Sequence, residues 1–420
     1  MAPVLYSFDD FFWMPETAFR LMGYDALRRS KSAWLELLMW VFYIFCGVIH
    51  TFFNCIMIYR LYEMDFKETH ISLIMRYATE ITFVINSDTK FVTYLWHRSS
   101  IQRVHARLAE LYPQTTPMRL QYQVEKYYWS RALRILIALY FGASALMVEG
   151  PLLESMYMYV RDWLHMGRQH AQFSYLHYYP FISLDAEKPS LVGYIGTYLG
   201  ENLHSLVMVN SNMGMDLWMV CFVGQLCMHF DYIGRTLQAY QPDRQHDVAD
   251  CEFLAHLVVK HQRLMEIQKE INSIFGGSLI LNLITTAGVF CTVGVYILLQ
   301  GLDLEGVSYL IFIFTAIAQL YLICYYGELI TSLSTYVGQA AYSHTWHNAS
   351  QAYKKLLLLI MLRSQRPAEL SAMGFLALSV DTFKQLMSVS YVCLDEDYDT
   401  IEYYVYYNKN EKLELSGLDP

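Results

Sequence analysis

Charge is what this sequence has least of: 16% of its 420 residues are Asp, Glu, Lys or Arg, while 55% are hydrophobic. The apolar residues come in long blocks, which excludes a soluble globular domain. No basic stripe is available to follow a phosphate backbone, so no nucleic acid is expected as a partner. There is no nucleotide-binding loop, catalytic triad or paired-carboxylate signature, which argues against an enzyme. The eight cysteines (Cys46, Cys55, Cys221, Cys227, Cys251, Cys291, Cys324 and Cys393) form no CxxC and no Cys/His set with zinc spacing. They indicate neither a disulfide framework nor a metal site, and no cofactor is implied. The N-terminal stretch holds Asp9 and Asp10 where a signal peptide needs a basic leader and an apolar core. An N-terminus that stays in the cytoplasm is therefore expected. No internal repeat or Gly/Pro-interrupted helix pair points to a transporter.

What the chain does have is apolar length. Six stretches can cross a hydrocarbon core as helices: Trp34–Tyr59, Leu133–Leu153, Val192–Met228, Ile274–Leu299, Val307–Ile330 and Ala372–Leu394. A seventh, Ile71–Trp96, carries Arg76, Glu80, Asp88 and Lys90; Arg76 and Glu80 lie four apart and can neutralise each other. The expected fold is an all-α membrane protein of seven transmembrane helices. With the N-terminus inside, inner segments hold 20 of the 30 Lys and Arg, and outer segments 7. That bias favours a cytoplasmic N-terminus and an extracellular C-terminus. The sequon at Asn348 then lies inside, where it is not modified. His97–Tyr112 and Cys251–Ile274 are expected to continue neighbouring spans as cytoplasmic helices. The outer connection Glu154–Leu191 is large and aromatic.

A long basic stretch separates the last two spans. Tyr342, Trp346, Ala349, Tyr353, Leu356 and Ile360 recur at alternating steps of four and three, which predicts a helix from Ala341 to Arg366 with a packing seam. Lys354, Lys355 and Arg363 lie off the seam and hold the segment at the cytoplasmic side. The seam either joins subunits or lays an amphipathic connector along one subunit.

The residues from Leu322 to Leu394 carry a resemblance. CYYGELI, then Ala341, Tyr342 and Trp346, LLLLIMLRSQRP, and LSVDTF with Ser390 and Tyr391 resemble the C-terminal signature of the insect odorant receptors. Tyr179, Pro180, Phe181, Pro189, Tyr194 and Tyr198 resemble a second motif, with Glu201 where many members have Gln. The resemblance implies an odorant-binding tuning subunit of a ligand-gated, non-selective cation channel. Such a subunit assembles with a shared co-receptor as a heterotetramer. It sits in the plasma membrane of an olfactory sensory neuron, on the dendrite, and its partners are a small volatile organic odorant, the lipid bilayer and permeating cations.

The implied organisation is a cytoplasmic N-terminal segment (1–33), six spans with a ligand pocket in their outer half (34–330), a cytoplasmic anchor helix (331–371), a pore-lining seventh span (372–394) and an acidic tail (395–420). By position within the family's spans, the resemblance points to Tyr77, Ile81, Phe141, Ala145, Val148, Tyr198, Asn202, Ser205, Tyr309, Phe312 and Ile313 as ligand-binding. It points to Met387, Ser390, Tyr391 and Leu394 as pore-lining, and to the six seam residues as the assembly surface. Within a span, His204 is read as satisfying a neighbouring helix, and Asp381 with Lys384 either as an internal pair or as facing a water-filled pore. Asp395, Glu396 and Asp397 depart from the apolar ending of the family: either the outer pore is acidic or the last segment is atypical. The competing readings are a G-protein-coupled seven-transmembrane chemoreceptor, against which the charge bias stands, and a related gustatory-type receptor channel.

Overall fold

A computed structural model of the chain describes residues 6–24, 27, 32–63, 71–128, 134, 137–142, 156–161, 164–165, 191–300 and 304–392. Its principal helices are α1 (Phe8–Arg20), α2 (Ala33–Glu63), α3 (Ile71–Trp96), α4 (Arg98–Leu111), α5 (Thr116–Gln121), α6 (Val124–Tyr127), α7 (Leu191–Ala239), α8 (Asp247–Gln300), α9 (Leu304–Ser343) and α10 (Gln351–Ser364). A last helix, α11, runs over residues 380–392. Four of the described helices (α2, α7, α8 and α9) are long and apolar enough to cross a membrane. The predicted third span lies mostly outside the described residues, as do the YYPF motif and the acidic tail. Apolar residues placed where no water competes must satisfy every peptide group internally, and a continuous helix does this.

Two helices far outrun any bilayer. α7 has 49 residues and α8 has 54, about 74 and 81 Å at 1.5 Å per residue, against a hydrocarbon core of ~30 Å. The expected continuation of Cys251–Ile274 into the fifth span is therefore real, since α8 is one rod. α4 follows α3 after a single turn residue, His97, as the sequence also predicts.

α7 is the hub of the molecule. From Val207 to Leu237 it is almost wholly buried, with Trp218, Phe222, Leu226, Phe230, Ile233 and Leu237 fully so. α1 folds against it: the Ser7 N–H donates to Asp10 Oδ2 at 2.6 Å, fixing the first turn. Phe12 then sits 5.4 Å from Trp218 and 5.5 Å from Phe222, and Phe19 stacks on Tyr94 at 3.7 Å. Arg103 of α4 pairs with Glu270 of α8 at 3.2 Å, and Arg107 with Glu266 at 3.0 Å. Nearby on α8, Lys260 is buried over the rings of Tyr122 and Tyr232, which lie 4.5 and 5.1 Å from its nitrogen. Burial pushes its amine down to about 8. Burial, with Arg363 nearby, pushes the His261 imidazole down to about 4.

The segment between α9 and α11 corrects two expectations. The helix predicted from Ala341 to Arg366 is not continuous: α9 ends at Ser343, Trp346–Asn348 form a 3-10 turn, and α10 starts at Gln351. The Ser350 side chain ends the break by accepting from the Tyr353 N–H at 3.1 Å, an N-cap hidden inside the heptad pattern. The seventh helix begins at 380 and not at Ala372, because Ser371–Ala372 and Leu376–Ala377 pair as a small antiparallel hairpin. Met373 and Gly374 turn it with φ of 52° and 76°. This loop presses on α9 at Gly327, where a Cβ would lie 2.1 Å from the Leu378 carbonyl oxygen. Gly327 is the glycine of the CYYGELI motif, and its missing side chain is what lets the loop approach.

Candidate functional site

Charges inside apolar helices must find partners, since an uncompensated buried ion costs several kcal/mol. Lys90 of α3 is 1% exposed. Its Nζ lies 2.8 Å from Asp216 Oδ2 and 2.7 Å from Asn212 Oδ1, both on α7. Gln319 of α9 donates its amide to the same two acceptors, Asn212 Oδ1 and Asp216 Oδ2. Three helices are thus tied at one point. Sequence reasoning missed this pair, although a lone Lys in one span and a lone Asp in another are themselves the signal for it.

A second polar chain joins α2, α3 and α7. His50 Nε2 lies 2.6 Å from Asp88 Oδ1, and His50 Nδ1 lies 2.9 Å from His204 Nδ1. A carboxylate only accepts, so the His50 Nε2–H donates to Asp88. With a neutral His50, its Nδ1 then accepts from the Nδ1–H of His204. Asn54 donates to Asp88 Oδ2 at 3.0 Å. The expectation that His204 satisfies a neighbouring helix holds.

Just beside the Lys90 cluster, between α3, α7, α8, α9 and the helical piece at 137–142, lies a narrow cavity. Its volume is about 30 Å³. α3 contributes Thr82, Phe83 and Asn86, and α9 contributes Phe312, Thr315, Ala316 and Gln319. α8 adds Asn282, Thr285, Thr286 and Val289, and Asn212 and Tyr140 complete the wall. Above it an aromatic cluster closes the space: Phe83 meets Phe312 edge-on at 5.4 Å, and Tyr296 lies 4.9 Å from Tyr309.

Three of the four lining threonines are cheap to place in a membrane because each satisfies itself. Thr82, Thr285 and Thr315 donate to the carbonyls of Ala78, Leu281 and Ile311 at 2.7, 2.8 and 2.8 Å. Asn86 Nδ2 donates to Asn282 Oδ1 at 2.9 Å across the cavity. A site of this kind does no bond chemistry. It can hold a small organic molecule by shape and by a few hydrogen bonds strengthened in a dry surrounding.

Of the ligand residues expected from the sequence, Phe312 lines this cavity. Tyr309 and Ile313 belong to the aromatic cluster above it, and Tyr77 is buried. Ile81, Tyr198, Asn202 and Ser205 are half-buried, with Asn202 donating to the Tyr198 carbonyl at 3.1 Å, and Phe141 is exposed. Ala145 and Val148 lie outside the described residues. On α3, α7 and α9 alike the lining residues sit further along the chain than those expected, one to several turns deeper. α8 also supplies four of them, where the fifth span was given none. Its signal is visible in retrospect: Asn282, Thr285 and Thr286 make one polar stripe on an apolar helix.

The other expected residues divide by face. On α11, Ser390 is buried and Met387 half-buried against the chain's own bundle, while Tyr391 is exposed; Leu394 lies outside the described residues. Asp381, Lys384, Gln385 and Ser388 form an exposed polar stripe, with Asp381 and Lys384 paired at 3.1 Å. Of the seam, Ala349, Tyr353 and Ile360 are buried and Trp346 and Leu356 half-buried, all against the same chain, while Tyr342 is 67% exposed. The uncovered face of α10 is instead Leu358, Leu359 and Leu362, each more than half exposed.

Known proteins were compared with this geometry. The family described as 7tm Odorant receptor matches residues 70–391. Odorant receptor 85f of Drosophila melanogaster is 45% identical over 93% of this chain and 97% of its own length. Odorant receptor 49a of the same species is 33% identical over 92% and 96%. Among solved structures, the insect olfactory receptor OR5 from Machilis hrabei in complex with eugenol superposes with a TM-score of 0.70 at 12% identity, covering 92% of this chain and 97% of that one.

Proposed function

The chain belongs to the insect odorant receptor family, and from that premise we propose that it is the odorant-binding tuning subunit of a heteromeric, ligand-gated, non-selective cation channel. The observation that carries the reading is α11. A helix that leaves Asp381, Lys384, Gln385 and Ser388 uncovered at helical spacing, in a membrane protein, needs water on that side. Four such stripes around an axis make an aqueous pore. The uncovered Leu358, Leu359 and Leu362 of α10 give the subunits an apolar contact below it.

In this arrangement the cavity between α3, α7, α8 and α9 takes the odorant, as the Machilis receptor takes eugenol. Odorant binding favours the open arrangement only to the extent that it binds that state better. Residues 240–246 make a short link between α7 and α8, without the long insertion expected of a shared co-receptor, which supports a tuning subunit. The N-terminus and the α4 and α10 ends lie in the cytoplasm, by the excess of Lys and Arg there. The protein works in the plasma membrane of an olfactory neuron's dendrite.

The test is whole-cell current under an odorant panel, with and without an insect co-receptor, and with G-protein signalling blocked. Fast cation current that needs the co-receptor is expected. A response abolished by the G-protein block would overturn the proposal.

A further inference from the structure

Of the ten prolines in the chain, one alone follows a hydroxyl residue: Pro117, after Thr116 in the stretch QTTPMR. Its place in the fold is open. Thr115, Thr116 and Pro117 are exposed in the connection between α4 and α6. α5, which Thr116 begins, has six residues and buries none of them. A helix that short is marginal by itself, and with no apolar contact to lose it unwinds at little cost. The chain before it is already extended, with Tyr112 at φ −66°, ψ 138° and Thr115 at φ −100°, ψ 152°. Three residues after Thr116 comes a cation, Arg119. Its Nε donates to the Pro113 carbonyl at 3.2 Å, and its guanidinium lies 5.7 Å from the Tyr112 ring.

We propose that Thr116 is a phosphorylation site for a proline-directed protein kinase of the cytoplasm. The inference goes beyond the channel reading and takes from it only the cytoplasmic placement of α4 to α6. In the transfer, Thr116 Oγ1 bonds to the γ-phosphorus of a nucleoside triphosphate, and the bond from that phosphorus to the β–γ bridging oxygen breaks. The nucleoside diphosphate leaves with the electron pair, and the hydroxyl proton passes to the kinase's general base. Pro117 has no N–H, so a kinase cleft without an acceptor at that point takes proline and leaves the N–H of any other residue unmatched. Arg119 offers a cation to an acidic or phosphorylated group beside the cleft. The attached phosphate brings about −1.5 to −2 charges close to Arg119. Drawn to it, Arg119 leaves the Pro113 carbonyl and uncovers Tyr112. That tyrosine holds the N-terminal segment: its hydroxyl donates to the Tyr6 carbonyl at 2.7 Å, and its ring lies 5.4 Å from Phe8. The modification therefore reaches α1, which packs on α7.

The experiment incubates the purified full chain in detergent with ATP and a mitogen-activated protein kinase, and locates phosphate by peptide mass spectrometry. Modification at Thr116 is expected, with none there in Thr116→Ala and an unchanged rate in Thr115→Ala. Pro117→Ala should slow incorporation roughly tenfold or more, and Arg119→Ala about twofold to fivefold. In the phosphorylated chain, backbone hydrogens of residues 6–20 should exchange about twofold to fivefold faster. No phosphate at Thr116, or incorporation indifferent to Pro117, overturns the proposal. Phosphate at Thr116 with unchanged exchange would keep the site and overturn its link to α1. The side of the membrane is read separately, by giving kinase and ATP to intact and to permeabilised cells that express the receptor. Modification only after permeabilisation is expected; modification of intact cells would overturn the cytoplasmic placement and leave Thr116 standing as the acceptor.

Discussion

The two halves of α7 share one helix and much the same composition, yet they are held in different ways. From Ile195 to Leu206 the helix is partly exposed and makes polar contacts, His204 against His50 and Asn202 on its own backbone, beside the ring of Phe53. From Val207 onward it is packed on every side by α1, α3 and α9, with rings and branched side chains. Lys90 and Asp216 mark the junction. A hydrogen-bonded region can exchange partners with an incoming molecule at modest cost, whereas a close-packed one moves as a body. The comparison separates a polar, partly exposed stretch from a close-packed one, and the cavity meets α7 at Asn212, within the close-packed stretch.

The sharpest way to break this division is at the junction. Lys90→Met leaves the buried Asp216 without its cation, with only the Gln319 amide donating to it, which should cost ~3–5 kcal/mol and remove the receptor from the cell surface. Adding Asp216→Leu should restore most of the surface population, because exchanging both charges for apolar groups is often neutral. Surface biotinylation of the single and double variants measures this, and an unharmed single variant would remove the junction from the account.

An acid-labile group packs against the close-packed half: His261 of α8 lies 5.7 Å, ring to ring, from Phe230. His261 is held neutral with a pKa near 4, against 6.5 in the unfolded chain. Between those values the unfolded chain binds a proton that the folded chain refuses. Stability is therefore complete above pH 6.5 and falls on the way down to 4, by at most ~3 kcal/mol. Melting temperatures of the solubilised protein should drop across that window, and His261→Gln should flatten the drop.

A smaller effect separates the loop contact from the salt bridges. Gly327→Val puts a side chain into the Leu378 carbonyl, and overpacking of that kind should cost ~1–3 kcal/mol and lower the melting temperature at neutral pH. Arg103→Ala removes an exposed arginine from Glu270 and should cost only ~0.2–1 kcal/mol, a shift that disappears in high salt.

Much of the first-order architecture was legible in the chain. Ile71–Trp96 is α3 residue for residue, in spite of its charges, and the fusion of Cys251–Ile274 with the fifth span follows from unbroken helix-forming residues. What was not legible depends on contacts between distant residues. The break at Trp346–Asn348 obeys a heptad pattern that looks continuous, because Tyr353 and Ile360 fill core positions whether or not the helix is whole. The hairpin at Ser371–Ala377 hides in an apolar run, with only Met373-Gly374 as a turn signal. The lining of the cavity was not legible because each helix, taken alone, shows its aromatic residues more plainly than its threonines. Their polar stripe becomes a site only when Asn86 meets Asn282 across a space.

The most direct test of the channel account is cysteine modification on α11. A charged thiol reagent applied during an odorant pulse should reduce the current through Ser388→Cys receptors and spare Ser390→Cys, since the first side chain belongs to the exposed stripe and the second is buried in the chain's own bundle. Block at position 390 with none at 388 would contradict the account.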